Sequence, residues 1–165
     1  MMDQNGFLAI AENGTSNDIF SGLEAWVLNS VGAVIFSGST FDLATSKSRR
    51  IFTNQPDIYP VSGLKEIVPN AWTAQVLDRR QTFVANSLAE IRGAFPDHAV
   101  IASLGCGSVI NMPVFLAGQF LGTVNVLHEP DHYAPDRVAK LHDLRPAAML
   151  AFASHALGLS ADHPI

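Results

Sequence analysis

The chain has 165 residues, the length of one domain with a core of its own. Ten Lys plus Arg against fifteen Asp plus Glu give a net charge of −5 with no basic run longer than Arg49-Arg50 or Arg79-Arg80, which is the wrong sign for a nucleic-acid partner. Charged residues are only 15% of the chain and the mean hydropathy is +0.20, so weakly polar surface is expected to meet a second copy in a homodimer.

Residues 1–15 are polar and Gly-containing and are expected to form an irregular N-terminal segment of a single domain spanning 1–165. Their start, MMDQNGF, lacks the positive region and apolar core of a secretory signal, and a single cysteine, Cys106, rules out an internal disulfide; the cytoplasm is the expected location. Ser16-Asn17-Asp18 then supplies capping chemistry for a helix carrying Ile19, Leu23, Trp26, Val27 and Val31. Val34 to Phe41 and Arg49 to Asn54 read as strands joined by the loop from Asp42 to Ser48, with Pro56, Pro60 and Gly63 ending the second. Asn70 caps a helix from Ala71 to Arg79, and Thr82 to Ala85 is a short strand. Ser87 with Glu90 opens a helix to Ala94, which Pro96 stops. Asp97 to Leu104 forms a further helical turn before Gly105 and Gly107.

Ser108 to Phe115 and Gln119 to His128 are β-branched or apolar at strand length, with Ala117-Gly118 between them where a tight turn needs positive φ. Period-two counting sets Val109, Asn111, Pro113 and Phe115 on one face of the first strand and Leu121, Thr123, Asn125 and Leu127 on one face of the second. Two amides on a covered face must find partners or leave donors unsatisfied at about 1–3 kcal/mol each. Either they line a polar cavity, or each bonds a neighbouring strand end or a buried water. Pro135 then starts a last helix through Val138, Leu141, Leu144, Met149 and Phe152, with a kink or break expected near Arg145 because Pro146 lies inside the pattern. That helix is expected beside the first. No uncharged apolar stretch reaches about 18 residues, the nearest being Pro146 to Leu159 interrupted by His155, so no membrane span is expected.

Helix, two strands, helices with a strand, two strands and a helix make an α+β arrangement around a central antiparallel sheet. With SVINMPV entering a Gly turn, QFLGTVNVLHE leaving it and YAPDRV opening the last helix, the chain resembles the GAF domain family over most of residues 16 to 157. The resemblance implies a six-stranded antiparallel sheet flanked by helices, terminal helices packed together on one face, a small-molecule pocket between the sheet and the connecting helices, and dimerisation through the terminal helices. Most members of that family sense, and few catalyse.

Specific ligand chemistries fare differently. Cyclic-nucleotide-binding members carry an Asn-Lys-x-x-Phe-Asp-Glu type signature where this chain has HEPDHYAPDR, and bilin-binding members attach the chromophore to a cysteine often followed by His, whereas Cys106 is followed by Gly107. The free methionine-(R)-sulfoxide reductases resemble this hairpin most among enzymatic members. Aligned on Pro113 and Gly122, their acidic positions fall at Val109, Asn125 and Leu127 and their pre-strand cysteine near Ala102, so neither acids nor a second thiol are present. His128-Glu129-Pro130-Asp131-His132 matches HExxH, but Pro130 and the preceding strand prevent the two imidazoles from sharing a helical face. A turn-bound metal on His128, Asp131 and His132 is the weaker reading, and a strand-ending turn ordered by Asp131 the stronger.

Arg49, Arg50, Phe52, Tyr59 and Trp72 are candidates to surround the cavity, a guanidinium holding a carboxylate bidentately and rings covering an apolar group. Adjacent strand residues point to opposite faces, so at most one arginine looks inward. The expected function is a sensory or regulatory domain binding a small organic ligand, with no cofactor and no metal. Asn111, Thr123 and Asn125 orient that ligand, Val109, Leu127, Trp72, Arg50 and Tyr59 surround it, and the Cys106 loop gates entry. The alternatives are an interaction module with a vestigial pocket, and an enzyme using Cys106 or His98 in redox or acyl-transfer chemistry.

Overall fold

A helix opens the chain where its composition predicts an irregular segment. In the computed structural model, which describes residues 1–61 and 63–159, α1 (Gln4–Asn13) is capped by Asp3, whose side chain accepts the Gly6 N–H at 2.8 Å. It buries Phe7, whose ring meets Trp26 of the next helix at 5.6 Å between centroids. Anchoring one large ring is what orders a segment whose polar sequence alone would not. The following helix, α2 (Ser16–Ser30), is capped one residue earlier than the sequence suggests. Thr15 Oγ1 accepts the Asp18 N–H while the Asp18 carboxylate accepts the Thr15 N–H, a reciprocal box. These bonds from Thr15 hold the Asp18 carboxyl below its ordinary pKa. Ile19, Phe20, Leu23 and Val27 form the buried stripe of α2 at helical spacing.

Among the described residues six strands form one sheet in the order β3-β2-β1-β6-β5-β4, with every adjacent pair antiparallel. They are β1 (Ile35–Asp42), β2 (Lys47–Thr53), β3 (Leu64–Glu66), β4 (Phe83–Ala85), β5 (Ser108–Leu116) and β6 (Gln119–His128). The three exposed residues of β3 carry no strand pattern and pair only through their backbone along the edge. The central hairpin turns on Ala117 and Gly118 at φ of 50° and 76°, the doubly positive geometry of a two-residue connection that matches strand twist.

Helices cover both faces of this sheet. On one side α2, α6 (Pro135–Asp143) and α7 (Arg145–Ala156) press Leu23, Val27, Leu141, Ala148 and Phe152 against Phe36, Ile110, Met112, Val124 and Val126 in a continuous apolar core. The expected interruption near Arg145 is a true break at Leu144, after which Pro146 sits in the first turn of α7, where its missing N–H leaves no bond unmade. Two glycines seat this layer. A Cβ on Gly38 would lie 3.0 Å from Phe20, and one on Gly122, at φ +154°, would lie 2.2 Å from the Ser39 carbonyl oxygen and 2.5 Å from the Phe152 ring.

On the other side lie α3 (Ala71–Thr73), which continues into a π-helical segment at Ala74–Asp78, then α4 (Leu88–Ala94) and α5 (His98–Ser103). The periodicity predicts one α-helix from Ala71 to Arg79, and the widened segment replaces most of it. The Asn70 cap forms as expected, its side chain accepting the Thr73 N–H at 2.9 Å. This layer packs Ile91, Ile101 and Cys106 on Ile35, Val109 and Leu127 in a second, smaller cluster. Among the described residues no helix is long and apolar enough to cross a membrane.

Candidate functional site

Where the second helical layer does not reach the sheet, a cavity of about 470 Å³ remains. The register of the central strands builds its floor. Asn111 of β5 stands directly opposite Asn125 of β6, Asn125 opposite Ser37 of β1, and Thr123 opposite Ser39, so both amides share one face as period-two counting predicts. Their side chains form a connected hydrogen-bond network. Asn111 Nδ2 donates to Asn125 Oδ1 at 2.8 Å, Thr123 Oγ1 donates to the same oxygen at 3.0 Å, and Asn125 Nδ2 donates to Ser37 Oγ at 3.3 Å and Ser39 Oγ at 3.2 Å. From the overlying layer, Trp72 Nε1 donates to Asn111 Oδ1 at 3.0 Å. Both acceptor positions and both donors of Asn125 are thereby used. The asparagines line the hollow, and instead of a strand end or a water they bond one another and the side chains of Trp72, Thr123, Ser37 and Ser39. The hydroxyl protons of Ser37 and Ser39, which both line the cavity, remain available to an occupant.

Rings form the cavity wall above this floor. Trp72 lies 6.1 Å from Phe41 and 6.3 Å from Phe95 between centroids, each ring tilted or edge-on to the indole, and all three line the hollow with Tyr59, Val109 and Leu127. Arg50 enters from β2. Its side chain reaches the cavity, while Arg49 lies on the opposite face toward His155 of α7, whose imidazole pKa is lowered chiefly by burial and then by Arg49. The Arg50 guanidinium carbon sits 4.5 Å above the Tyr59 ring centre, and the Tyr59 hydroxyl donates to Asp97 Oδ2 at 3.3 Å. Burial, and to a smaller degree Asp97, pushes the Tyr59 phenol well above its ordinary pKa, so it stays protonated.

Cys106 does not stand where the sequence suggests. It is 2% exposed and packs in the smaller apolar cluster with Ile35, Tyr59, Val109 and Leu127, behind these lining residues rather than facing the cavity. Gly105, at φ +75°, turns the chain back beneath α5, and Gly107 lies so close to Pro130 that a Cβ there would be 2.4 Å from its ring. That approach packs the loop against the turn that follows β6. Burial pushes the Cys106 thiol up, away from the reactive thiolate. Ser37, Ser39, Phe41, Phe95 and Asp97 are cavity residues that the sequence reading missed. The alternation Ser37, Ser39, Phe41 along one strand was the available signal, visible only once β1 is known to pair with β6.

The HExxH stretch forms the turn that the sequence predicts, with Asp131 at φ 61° and its N–H donating to the Asn86 carbonyl at 3.0 Å. Nitrogen and oxygen atoms of His128, Glu129 and His132 lie within 4.8 Å of one another. The two imidazoles, however, stack 3.5 Å apart at 7°, so their in-plane lone pairs run side by side rather than converging on an ion. His132 Nε2 is also engaged by the Val31 carbonyl at 3.0 Å.

No protein-family model and no curated protein matches the chain. Solved structures do. The GAF domain of an Acinetobacter phosphoenolpyruvate-protein phosphotransferase superposes with a TM-score of 0.71 at 13% identity, covering 93% of this chain and 93% of that one. The chain has the GAF fold. The GAF domain/HD domain protein from Geobacter sulfurreducens aligns at a TM-score of 0.69 and 12% identity, over 92% of this chain and 99% of that one. A phycoerythrobilin-bound GAF domain from a cyanobacterial phytochrome gives 0.66 at 14% identity, over 93% and 94%. On this GAF fold the hollow lies between the sheet and the connecting helices, while the terminal helices close the opposite face.

Proposed function

We propose that the protein is a sensory or regulatory domain that takes a small organic ligand into the hollow between the sheet and the helices carrying Trp72 and Phe95. The observation that carries this reading is the unequal filling of the two faces. One is filled by hydrocarbon beneath α2 and α7 and keeps a more open groove at its margin, between β4 and α6, whereas the other keeps about 470 Å³ above a hydrogen-bonded floor and beneath aromatic rings, the mixture of apolar wall and few placed polar groups that small-molecule sites use. The phycoerythrobilin-bound GAF domain among the structural neighbours supports occupancy of such a space by an organic molecule. A catalytic role for Cys106 has no geometric support, since the thiol is buried outside the cavity.

The test is a thermal-shift screen against metabolites, with native mass spectrometry on freshly purified protein to detect a carried ligand. Ser37→Leu, which fills the floor, and Trp72→Ala, which opens the wall, are the controls. Hits abolished by Ser37→Leu and weakened by Trp72→Ala support the proposal, and hits indifferent to both overturn it.

The closed amide network favours a second reading, an interaction module in which the hollow is vestigial, because Asn111 and Asn125 are satisfied without a guest. Under that reading no metabolite shifts the wild-type melting temperature and a protein partner binds Ser37→Leu as tightly as wild type.

A further inference from the structure

The floor of the cavity has spent most of its hydrogen-bonding capacity on itself, the Ser37 and Ser39 hydroxyl protons apart, and the charged side chain in the lining that makes no hydrogen bond to this network is Arg50. Every polar atom of Asn125 is engaged within the network, and Asn111 Oδ1 is taken by Trp72. Among the buried side-chain nitrogens and oxygens of the described residues, Arg50 Nε stands out as lacking any hydrogen-bond partner. A guanidinium presents five donors in a fixed plane and cannot shed its charge to escape the cost. Asp97, an acid whose charge reaches Arg50, accepts the Tyr59 hydroxyl, and Arg50 instead rests on the Tyr59 ring at 4.5 Å, which fixes the guanidinium plane without consuming its donors. Burial pulls the pKa of Arg50 down, with Tyr59 and Asp97 acting weakly against this, as expected for a cation still in want of an anion.

The position of Arg50 adds to its chemistry. It lies on β2, one strand beyond Ser39, and lines the same hollow as Phe41, Trp72 and Phe95. A ligand with a flat apolar body among those rings and an acidic group at one end would meet the Nη groups of Arg50, which make no hydrogen bond among the described residues and belong to a side chain that lines the hollow.

We propose that the ligand is an organic carboxylate with a planar apolar body, its carboxylate held by Arg50 and its body by Trp72, Phe41 and Phe95. The proposal rests on the reading of the hollow as a ligand site and assigns that site its chemical class. It makes Arg50, rather than the two asparagines, the residue that selects the guest. The asparagines then hold the floor and set the orientation of Trp72.

Matched probes test this. Calorimetric titration at constant ionic strength compares indole-3-acetate with indole-3-acetamide, which share size and ring but differ in charge, on wild type, Arg50→Gln and Arg50→Lys. The expected result is saturable binding of the acid at least about ten-fold tighter than the amide, the scale of one charge-assisted bond. Arg50→Gln should bring the two probes to within about two-fold, and Arg50→Lys should retain part of the preference. Equal binding of acid and amide by wild-type protein overturns the carboxylate assignment while leaving a ligand site in place, and needs no variant to fold. Failure of the acid to bind wild type while neutral compounds bind in a Ser37→Leu-sensitive way does the same. Failure of every compound overturns the assignment and the ligand site together.

Discussion

The two faces of the sheet are written on the same strands, residue by residue, and yet they are built on different physics. Along β5, Ile110, Met112 and Val114 look to the terminal helices and are sealed in hydrocarbon, while Val109 and Asn111, each one position away, look to the hollow. Along β6 the same alternation sets Val124 and Val126 against Thr123, Asn125 and Leu127. The filled face is held by volume complementarity, so its strength lies in contacts that any lost methylene weakens. The cavity face is held by directed bonds among a few side chains, so it can leave space open without collapsing.

The sharpest way to break the comparison is to open the filled face. Phe152, 1% exposed, meets Phe20 edge-on at 5.1 Å and rests against Gly122. Phe152→Ala should cost about 3–5 kcal/mol, read as a lowered urea midpoint, with a fall in melting temperature of roughly 2–4 °C per kcal/mol for a chain of this size. A loss below about 1 kcal/mol would mean that the helical layer is not the stabilising half.

The cavity face should respond more mildly. Asn111→Ala removes the acceptor of Trp72 Nε1 and a donor to Asn125, leaving a half-buried indole N–H without its partner at about 1–3 kcal/mol. Because water enters the hollow more readily than the packed face, the lower end of that range is expected, and the same urea titration with Trp72 emission reports it. A cost matching that of Phe152→Ala would erase the distinction between the faces.

Protons give the smallest effect and the one that best separates the layers. His142 of α6 and His155 of α7 are held below the ordinary imidazole pKa, in each case chiefly by burial and then by a neighbouring arginine, Arg145 or Arg49. His128 is likewise lowered by burial and by His132. A histidine with a depressed folded pKa binds fewer protons in the native state than in the unfolded one, so its contribution is intact above the unfolded value near 6.5 and is lost as pH falls through that value toward the folded one. Glu24, raised by burial, works in the opposite direction but nearer pH 4.5. Unfolding measured at pH 7.5 and 5.5 should therefore show lower stability at the acid value, and His142→Gln and His155→Gln should each flatten the difference. An unchanged slope in both variants would remove the helical layer as its source.

How far the sequence disclosed these two faces follows from the range of the signals involved. Strands β5 and β6 were legible because each is β-branched or apolar at strand length, β1 and β2 because strand-forming residues stand on either side of the Asp42 to Ser48 loop, and the shared face of Asn111 and Asn125 followed from period two and one tight turn. Edge strand β3 was not legible, since Leu64, Lys65 and Glu66 are all exposed and their pairing rests on backbone alone. Helix α1 was hidden because it carries a single fully buried ring, Phe7, whose partner Trp26 lies on the next helix. The inward turn of Arg50 rather than Arg49 depends on the irregularity between Gly38 and Ser39 in the β1–β2 ladder, which no local motif announces. Cys106 was misplaced because its flanking glycines resemble a mobile loop, whereas Gly107 is needed for a close approach to Pro130.

Gly122 gives the partition between the faces an unusual thinness. Its missing side chain lets the Ser39 carbonyl and the Phe152 ring share the space a Cβ would fill, and the hydroxyl of that same Ser39 receives Asn125 on the floor of the hollow. Any side chain larger than hydrogen at position 122 would have to force apart the first strand and the last helix of the chain, which meet at that point.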